Sequence, residues 1–378
     1  MDHARDMGMG FRGRSNCQAA GSYDVAQTAT VSVSEFAEGT QPPVFAVEGS
    51  MNTRTAQPQV GITPNMFGIS YGLAGLATCW GYAAMRGVAP ALVADVLFIV
   101  TAVVWLVLIV GYVSQVPRRP GGWRAELADP VLAPFVSLIP IVGMLLATGL
   151  MPHAPTAGRW LFAVFAAATT ILAGWITGQW IVEELDLDRL HSGYVLPAVA
   201  GGLIASIGAA RAGWTAIAHA FMGLGVISWL LIGSVIMARL LFRPRLPAPL
   251  LPTLAIEIAP PALGGLAYLA ITHDKVDAVA LVFGGFTALA VIVQLRLIPV
   301  YRRLAFGPAF WSFAFPYAAV AIFALHWISY GRPVGYTVWA WCVLLAITAF
   351  IAALAAKTTT ALASRRFLPR LQQPQAPQ

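Results

Sequence analysis

Residues 306–329 read FGPAFWSFAFPYAAVAIFALHWIS, a run of 24 amino acids without a lysine, an arginine or an acidic residue. A helix of this length spans about 36 Å, which is enough to cross the roughly 30 Å hydrocarbon core of a bilayer. The run also carries Pro316 in its interior, where a proline removes one backbone hydrogen bond and bends a helix. The stretch therefore predicts a transmembrane helix that is bent within its span.

Nine further apolar runs of similar length accompany this one, almost without interruption from Asn65 onward. The ten predicted spans are 65–86, 90–113, 130–151, 158–182, 194–211, 214–241, 252–272, 276–298, 306–329 and 334–356. Strands of a membrane barrel would show shorter segments of alternating polarity, which this sequence lacks. The sequence predicts an all-α membrane protein with ten transmembrane helices.

The composition of the 378-residue chain agrees with a membrane protein. Hydrophobic residues make up 58% and charged residues 10%, and the mean hydropathy is +0.73, whereas soluble domains contain about 25% charged residues. The outer surface of the protein is thus expected to contact the lipid bilayer. The net charge of +7 does not indicate nucleic-acid binding, because the basic residues lie mainly at the ends of apolar runs.

The chain divides into three predicted regions. Residues 1–60 lack a sustained apolar run and are expected to form a disordered cytoplasmic tail; 61–364 form the ten-helix transmembrane domain; 365–378 form a cytoplasmic C-terminal tail. Of the 23 lysines and arginines, 18 fall on the side that carries both termini and five on the other. The positive-inside rule then predicts a multi-pass protein of the plasma (inner) membrane with both termini in the cytoplasm.

Prolines in the interior of a span occur only in the odd-numbered helices. They are Pro134, Pro140, Pro197, Pro260, Pro261 and Pro316. The first span has no interior proline but carries Gly68, Gly72 and Gly75 on one helical face. Within hydrocarbon, a carbonyl freed by a bend must be satisfied by protein or cavity water. The pattern predicts five helical hairpins, with the broken helices inside around a passage and the straight helices facing lipid, although any single kink is more often structural than functional.

Three motifs on the first, seventh and ninth spans resemble a known family. They are Phe67-Gly-Ile-Ser-Tyr-Gly-Leu-Ala74, Pro252-Thr-Leu-Ala-Ile-Glu-Ile-Ala-Pro-Pro-Ala262 and Phe310-Trp-Ser-Phe-Ala-Phe-Pro316. They are similar to motifs of the tellurite-resistance/C4-dicarboxylate transporter family, whose members include bacterial TehA, fungal malate and sulfite permeases, and plant slow-type anion channels. The resemblance covers about residues 62–360. It implies a pseudo-fivefold bundle around a central pore, assembled as a homotrimer and conducting small inorganic or carboxylate anions.

Phe315 matches the position at which the family closes its pore with a phenylalanine. It lies about 13 Å into its span at 1.5 Å per residue and precedes the bend at Pro316. An apolar ring across a narrow pore stops ions by excluding their water. Without the resemblance, a packed core aromatic would be the better interpretation. With it, Phe315 is the expected gate, and Phe67, Gly68, Gly72 and the interior prolines are the expected pore-lining and kink positions.

Glu257 is the second candidate site residue, because acids within membrane spans are costly and usually functional. It lies five residues into the seventh span, about 7.5 Å from its start. A structural ion pair and a substrate or proton site are both compatible with that position. The sequence thus leaves open whether the protein is a channel or a proton-coupled carrier of malate, sulfite or tellurite oxyanions.

Catalytic chemistry is not indicated by the sequence. The six histidines and three cysteines show no paired metal-ligand spacing, and no Ser/His/Asp arrangement or glycine-rich phosphate loop stands out. We expect no enzyme activity, no metal and no cofactor.

Overall fold

The computed structural model describes residues 61–115, 122–183, 185–364 and 367. The predictions for the N-terminal tail (1–60) and for nearly all of the C-terminal tail (365–378) lie outside the described residues. The described residues form twelve α-helices. These are α1 Gly68–Met85, α2 Ala91–Gln115, α3 Gly122–Ala128, α4 Ala133–Val136, α5 Leu138–Leu150, α6 Pro155–Val182, α7 Gly201–Arg211, α8 Thr215–Phe242, α9 Ala259–Ile271, α10 Ala278–Tyr301, α11 Ala314–Gly331 and α12 Tyr336–Ala363.

Nine helical segments of the described chain are long and apolar enough to cross a membrane. They correspond to the second through tenth predicted spans. The first predicted span forms α1, but this 18-residue helix is not among the nine, since its sequence contains several glycines, tyrosines and other weakly polar residues. Most of α1 is buried against protein, so its surface does not need the hydropathy of a lipid-facing helix.

Each odd-numbered span begins with a short segment that differs from, or is divided from, the longer α-helix that follows it. Four of these segments contain 3-10 turns, Pro64–Phe67, Ser192–Val195, Ala248–Ile258 and Pro308–Phe313, and Ser192–Val195 continues into a π-helix at Leu196–Ala200. The third span is divided into α4 and α5 at Ser137. The regular helix then starts within the span. The breaks expected from the proline pattern thus occur at the junctions between these segments and the α-helices.

The prolines at two of these junctions lie in the first turn of the regular helix. Pro260 and Pro261 are the second and third residues of α9, and Pro316 is the third residue of α11. The first backbone N–H groups of a helix have no partner within it, so proline is tolerated there without losing a hydrogen bond. These prolines therefore favour the start of a helix rather than bending a continuous one.

Burial separates the spans into two alternating sets. In the apolar windows of the third, fifth, seventh and ninth spans, 61–89% of the residues are buried, whereas in the even-numbered spans 11–28% are buried. We call α1, α5, α7, α9 and α11 the inner helices and α2, α6, α8, α10 and α12 the outer helices. The outer helices expose large apolar side chains, such as Leu230 on α8 and Ile292 on α10. The six prolines predicted to be interior lie in the inner set, as the sequence predicts, whereas Pro299, which the prediction placed beyond the end of its span, lies within the outer helix α10.

The inner helices contact one another in cyclic order. Contacts join α1 to α5, α5 to α7, α7 to α9 and α9 to α11, and α11 packs in turn against α1. Each inner helix also packs against the outer helix that follows it in the chain. The inner helices thus surround a common interior, and the outer helices separate that interior from the lipid side.

Candidate functional site

The centre of this interior holds two stacked aromatic rings. Phe315, the second residue of α11, is 3% exposed, and its ring lies parallel to that of Tyr71 on α1, with 3.7 Å between ring centroids and an interplanar angle of 11°. The Tyr71 hydroxyl is buried and has no hydrogen-bond partner among the described residues. The pair is therefore an apolar contact between two inner helices.

Glycines on α1 allow this contact. A Cβ atom at Gly75 would lie 2.8 Å from Ala318 Cβ and 3.0 Å from Phe315 Cδ2. One at Gly72 would overlap Ala314 Cβ, and one at Gly68 would lie 3.2 Å from Trp311 Cβ. The three glycines face α11 and the 3-10 turn before it, so their shared face sets the close approach of these two segments.

Two cavities meet at Phe315. The wide cavity has a volume of about 440 Å³ and lies toward the ends of the inner helices, with Tyr82, Leu145, Ile204, Leu266 and Ile322 among its lining residues. The narrow cavity, of about 20 Å³, lies near their starts. All five inner spans contribute to each cavity, and Phe315 lines both. The Phe315 ring thus lies between two spaces that are lined by the same five inner spans.

The narrow cavity lies among the N-termini of the regular inner helices. Its lining includes Gly68, Leu138 and Ala259, which are the first residues of α1, α5 and α9. It also includes Ala200, which directly precedes α7, and Pro316 of α11. The first N–H groups of α1, α7, α9 and α11 already donate to carbonyls of the preceding segments, so the helix dipoles give this space only a weak preference for an anion over a cation.

The wide cavity is lined by several polar and charged side chains. Arg86 pairs with Asp274 at 2.5 Å, and the Tyr82 hydroxyl lies 2.9 Å from Nδ1 of His326. Arg211, the last residue of α7, also lines the wide cavity, and it forms no ion pair with a described residue. Asp274 therefore neutralises Arg86 directly, whereas it acts on Arg211 only at longer range, without an ion pair.

Comparison with known proteins identifies the family. The family model described as SLAC1, voltage-dependent anion channel, matches residues 61–359. This range covers the whole two-layered bundle up to the last turn of α12. The chain belongs to this family.

Three relatives align with this member of the voltage-dependent anion channel family. The tellurite resistance protein TehA homolog of Haemophilus influenzae is 29% identical over 68% of the chain and 78% of its own length. The S-type anion channels SLAH1 and SLAH4 of Arabidopsis thaliana are each 28% identical, over 43% and 46% of the chain and 43% and 47% of their own lengths. The chain thus aligns with less than half of either plant relative. The family consists of anion channels and transporters rather than enzymes.

The predicted pore-lining residues of this family member fall into two groups. Phe315, Gly68, Pro260 and Pro316 line one or both cavities. The others are placed elsewhere: the Phe67 ring contacts Tyr112 of α2 edge-on, and Gly72 faces α11. The remaining prolines are buried without lining either cavity, and they are Pro134, Pro140, Pro197 and Pro261.

Glu257 lies outside both cavities, in the 3-10 segment before α9. Its Oε1 atom is buried and has no hydrogen-bond partner among the described residues. The Ser192 hydroxyl, at the start of the fifth span, faces this carboxyl group and has no other hydrogen-bond partner among the described residues. No described arginine or lysine forms an ion pair with Glu257, so the alternative of a structural ion pair has no support in the described residues.

The loop next to this carboxyl group is fixed by buried polar contacts. His191 accepts a hydrogen bond at Nδ1 from the Gly193 N–H (3.0 Å) and donates from Nε2 to the Val131 carbonyl (3.1 Å), and its burial lowers the pKa to about 4. The neighbouring Asp188 accepts a hydrogen bond from Arg243, which lowers its pKa. His191 is therefore a neutral structural residue at neutral pH.

Two functional candidates were missed by sequence reasoning. Tyr71 belongs to the quoted Phe67–Ala74 motif and lies between Gly68 and Gly72 in sequence, and its proximity to that glycine face was the available signal. Arg211 was counted as a loop residue because it ends an apolar run, yet the structure places it on the wall of the wide cavity. No sequence signal distinguishes it from the other basic residues on that side.

Proposed function

We propose that this chain conducts small anions through a central pore surrounded by the inner helices, with Phe315 as the gate. The observation that carries the proposal is the position of the Phe315 ring, which borders both cavities along the interior. Family membership supports anion transport as the function, because the members of the family are anion channels and transporters. The two plant relatives are named as anion channels, and the bacterial one as a tellurite resistance protein.

The chemistry of the passage suits a weakly binding anion pathway. Moving a bare ion into a low-dielectric interior costs tens of kcal/mol by Born estimates. The narrow cavity beside the Phe315–Tyr71 pair, about 20 Å³ in volume, has room for about one water molecule, which is too little to offset this cost. When the ring moves aside, water fills the constriction, and the surrounding helix N-termini weakly favour negative charge. No described lysine or arginine lines the narrow cavity, so an anion is not held tightly there.

The proposed architecture has ten transmembrane helices in five hairpins, arranged with pseudo-fivefold symmetry around the pore. Residues 61–364 form this domain, and the segments on either side of it are cytoplasmic. The proposed setting is the plasma (inner) membrane, with a homotrimer that has one pore in each subunit. In this orientation the wide cavity opens to the outside of the cell.

The gate is tested by Phe315→Ala in planar bilayers or liposomes. We expect chloride and nitrate conductance to rise at least tenfold, because removal of the ring joins the two cavities. The matched control is Phe313→Ala, which removes a buried ring two residues away that packs against Tyr301 and lines neither cavity. A conductance that stays at the native level in Phe315→Ala, in protein that folds normally, would rule out the gate.

A second candidate function is proton-coupled transport of C4-dicarboxylates such as malate, or of sulfite or tellurite oxyanions. It is favoured by the buried Oε1 atom of Glu257, which accepts no hydrogen bond from a described residue and is therefore free to carry a proton. Glu257 would then carry the coupling proton beside the passage rather than within it. The response of uptake to a pH gradient separates this function from a channel.

A further inference from the structure

An apolar groove lies on the outside of the bundle, between α10, α11 and α12. It has a volume of about 690 Å³, and its walls include Leu295, Phe310, Phe350 and Val320. The groove is separate from the two cavities at Phe315, with which it shares no lining residue. It faces the lipid side, because α10 and α12 are outer helices.

The polar groups in the wall of this groove are already satisfied by one another. The Gln294 side-chain oxygen accepts hydrogen bonds from the hydroxyls of Tyr301 (3.0 Å) and Tyr317 (3.3 Å), and its amide donates to the Leu254 carbonyl (3.0 Å). These polar groups therefore do not require a hydrogen bond from a ligand. The wall is suited to binding a hydrocarbon chain.

The mouth of the groove is cationic. Arg302 at the end of α10 and Lys357 in α12 both line it and are exposed. Neither forms an ion pair with a described residue, although the Lys357 ammonium lies 5.8 Å from the centre of the Phe306 ring. Among the described residues, no acidic side chain lines the groove. Two unpaired cations at one end of an apolar channel are complementary to a molecule with a negative head and an apolar tail.

The length of the groove matches one leaflet of a bilayer. Along α10 it extends from Val291 to Arg302, which is about 16 Å at 1.5 Å per residue. Half of a hydrocarbon core of roughly 30 Å is about 15 Å. The cationic mouth therefore lies near the membrane surface when the far end of the groove lies near the midplane.

We propose that this groove binds one anionic phospholipid, with an acyl chain against the aromatic wall and the phosphate between Arg302 and Lys357. Basic pockets between membrane helices bind acidic headgroups in this way. The leaflet is the one on the side that carries most of the basic residues. The site is independent of the pore, and because Tyr317 and Phe313 line it, the lipid contacts the segment that carries Phe315.

The test is native mass spectrometry of the purified full chain with phosphatidylglycerol or phosphatidylcholine of identical acyl chains. We expect one phosphatidylglycerol per chain to bind with clear preference over phosphatidylcholine. Each basic residue near an anionic headgroup contributes roughly a fivefold factor, so the double variant Arg302→Gln/Lys357→Gln should lower the affinity about thirtyfold. Arg303→Gln is the matched control, because Arg303 is exposed beside Arg302 but does not line the groove.

A second variant separates the acyl chain from the headgroup. Leu295→Trp fills the groove without changing charge, and we expect it to weaken phosphatidylglycerol binding while the melting temperature of the lipid-free protein is retained. Unchanged phosphatidylglycerol binding in both variants would overturn the site. So would equally strong binding of glycerol phosphate, which has the headgroup charge but no chain. A loss of oligomers in Leu295→Trp with phosphatidylglycerol binding intact would instead assign the groove to a second copy of the chain.

Discussion

At the scale of single residues, the two arginines of the wide cavity differ in their electrostatic effect. Asp274 compensates the charge of Arg86 at 2.5 Å, whereas Arg211 has no carboxylate partner among the described residues. The field of an unpaired cation raises the local concentration of anions and lowers that of cations. Arg211 is therefore the residue expected to favour anions at this mouth of the proposed pore.

We expect Arg211→Gln, made in the Phe315→Ala background, to lower chloride conductance about two- to threefold at 10–20 mM salt. A unit charge about 7 Å from a passing ion changes its energy in water by about 0.6 kcal/mol, which is close to RT. At 1 M salt the Debye length is about 3 Å, so the two proteins should then conduct equally. Arg159→Gln is the control, since Arg159 is exposed at the start of α6 and lines neither cavity. Equal currents at low salt would contradict this role.

At the scale of elements, the contact between α1 and α11 holds the gate in place. The ring pair of Tyr71 and Phe315 depends on the distance between these helices, and the glycine face of α1 sets that distance. A side chain at Gly75 would meet Ala318 Cβ, which cannot rotate away. The close packing is thus a property of two helices together rather than of the aromatic pair alone.

Gly75→Ala should lower the stability of the protein by about 1–3 kcal/mol, as overpacking of a well-packed interior does. The expected result is a lower melting temperature in detergent, measured by intrinsic fluorescence. Gly174→Ala on the outer helix α6 is the matched control, because nothing lies within 4 Å of the added Cβ atom. That variant should be at least as stable as the native protein, since alanine favours a helix over glycine by up to about 1 kcal/mol. Similar melting temperatures for the two variants would contradict the packing argument.

At the scale of the whole molecule, a channel and a proton-coupled carrier differ in what drives anion movement across the membrane. A channel lets anions move only down their own electrochemical gradient. A carrier that binds a proton together with the anion accumulates the anion when a proton gradient is imposed. The buried Glu257 carboxyl group, with one oxygen unsatisfied, is the group through which such coupling would act.

In liposomes with an imposed pH gradient and no membrane potential, the channel function predicts no malate or sulfite accumulation above equilibrium. If the carrier function holds, accumulation is expected and Glu257→Gln should abolish it, because the amide cannot take up the proton. Glu183→Gln is the control, as Glu183 is exposed at the end of α6. If accumulation persists in Glu257→Gln, Glu257 does not carry the coupling proton.

The division into inner and outer helices could be predicted from the sequence, whereas the starts of the regular helices could not. The alternation of proline-bearing and smooth spans predicted the inner and outer sets, since a broken backbone requires partners that lipid does not provide. The starts of the regular helices were not predicted, because 3-10 and π segments carry the same apolar composition as the helices they precede. The sequence also grouped α1 with the other spans, although α1 is less apolar than they are. A helix that is buried against protein does not need an apolar surface toward lipid.

The sequence by itself determined that the chain is a helical membrane protein of this family and that alternate helices are broken. Those features depend on local quantities, namely apolar length, proline positions and short motifs. Only the tertiary structure decided that Tyr71 stacks on Phe315, and that Arg211 faces a cavity while the Phe67 ring contacts α2. It also decided that Oε1 of Glu257 has no hydrogen-bond partner among the described residues. These features arise from contacts between segments far apart in the chain, and helical periodicity does not specify which neighbour a given face will meet.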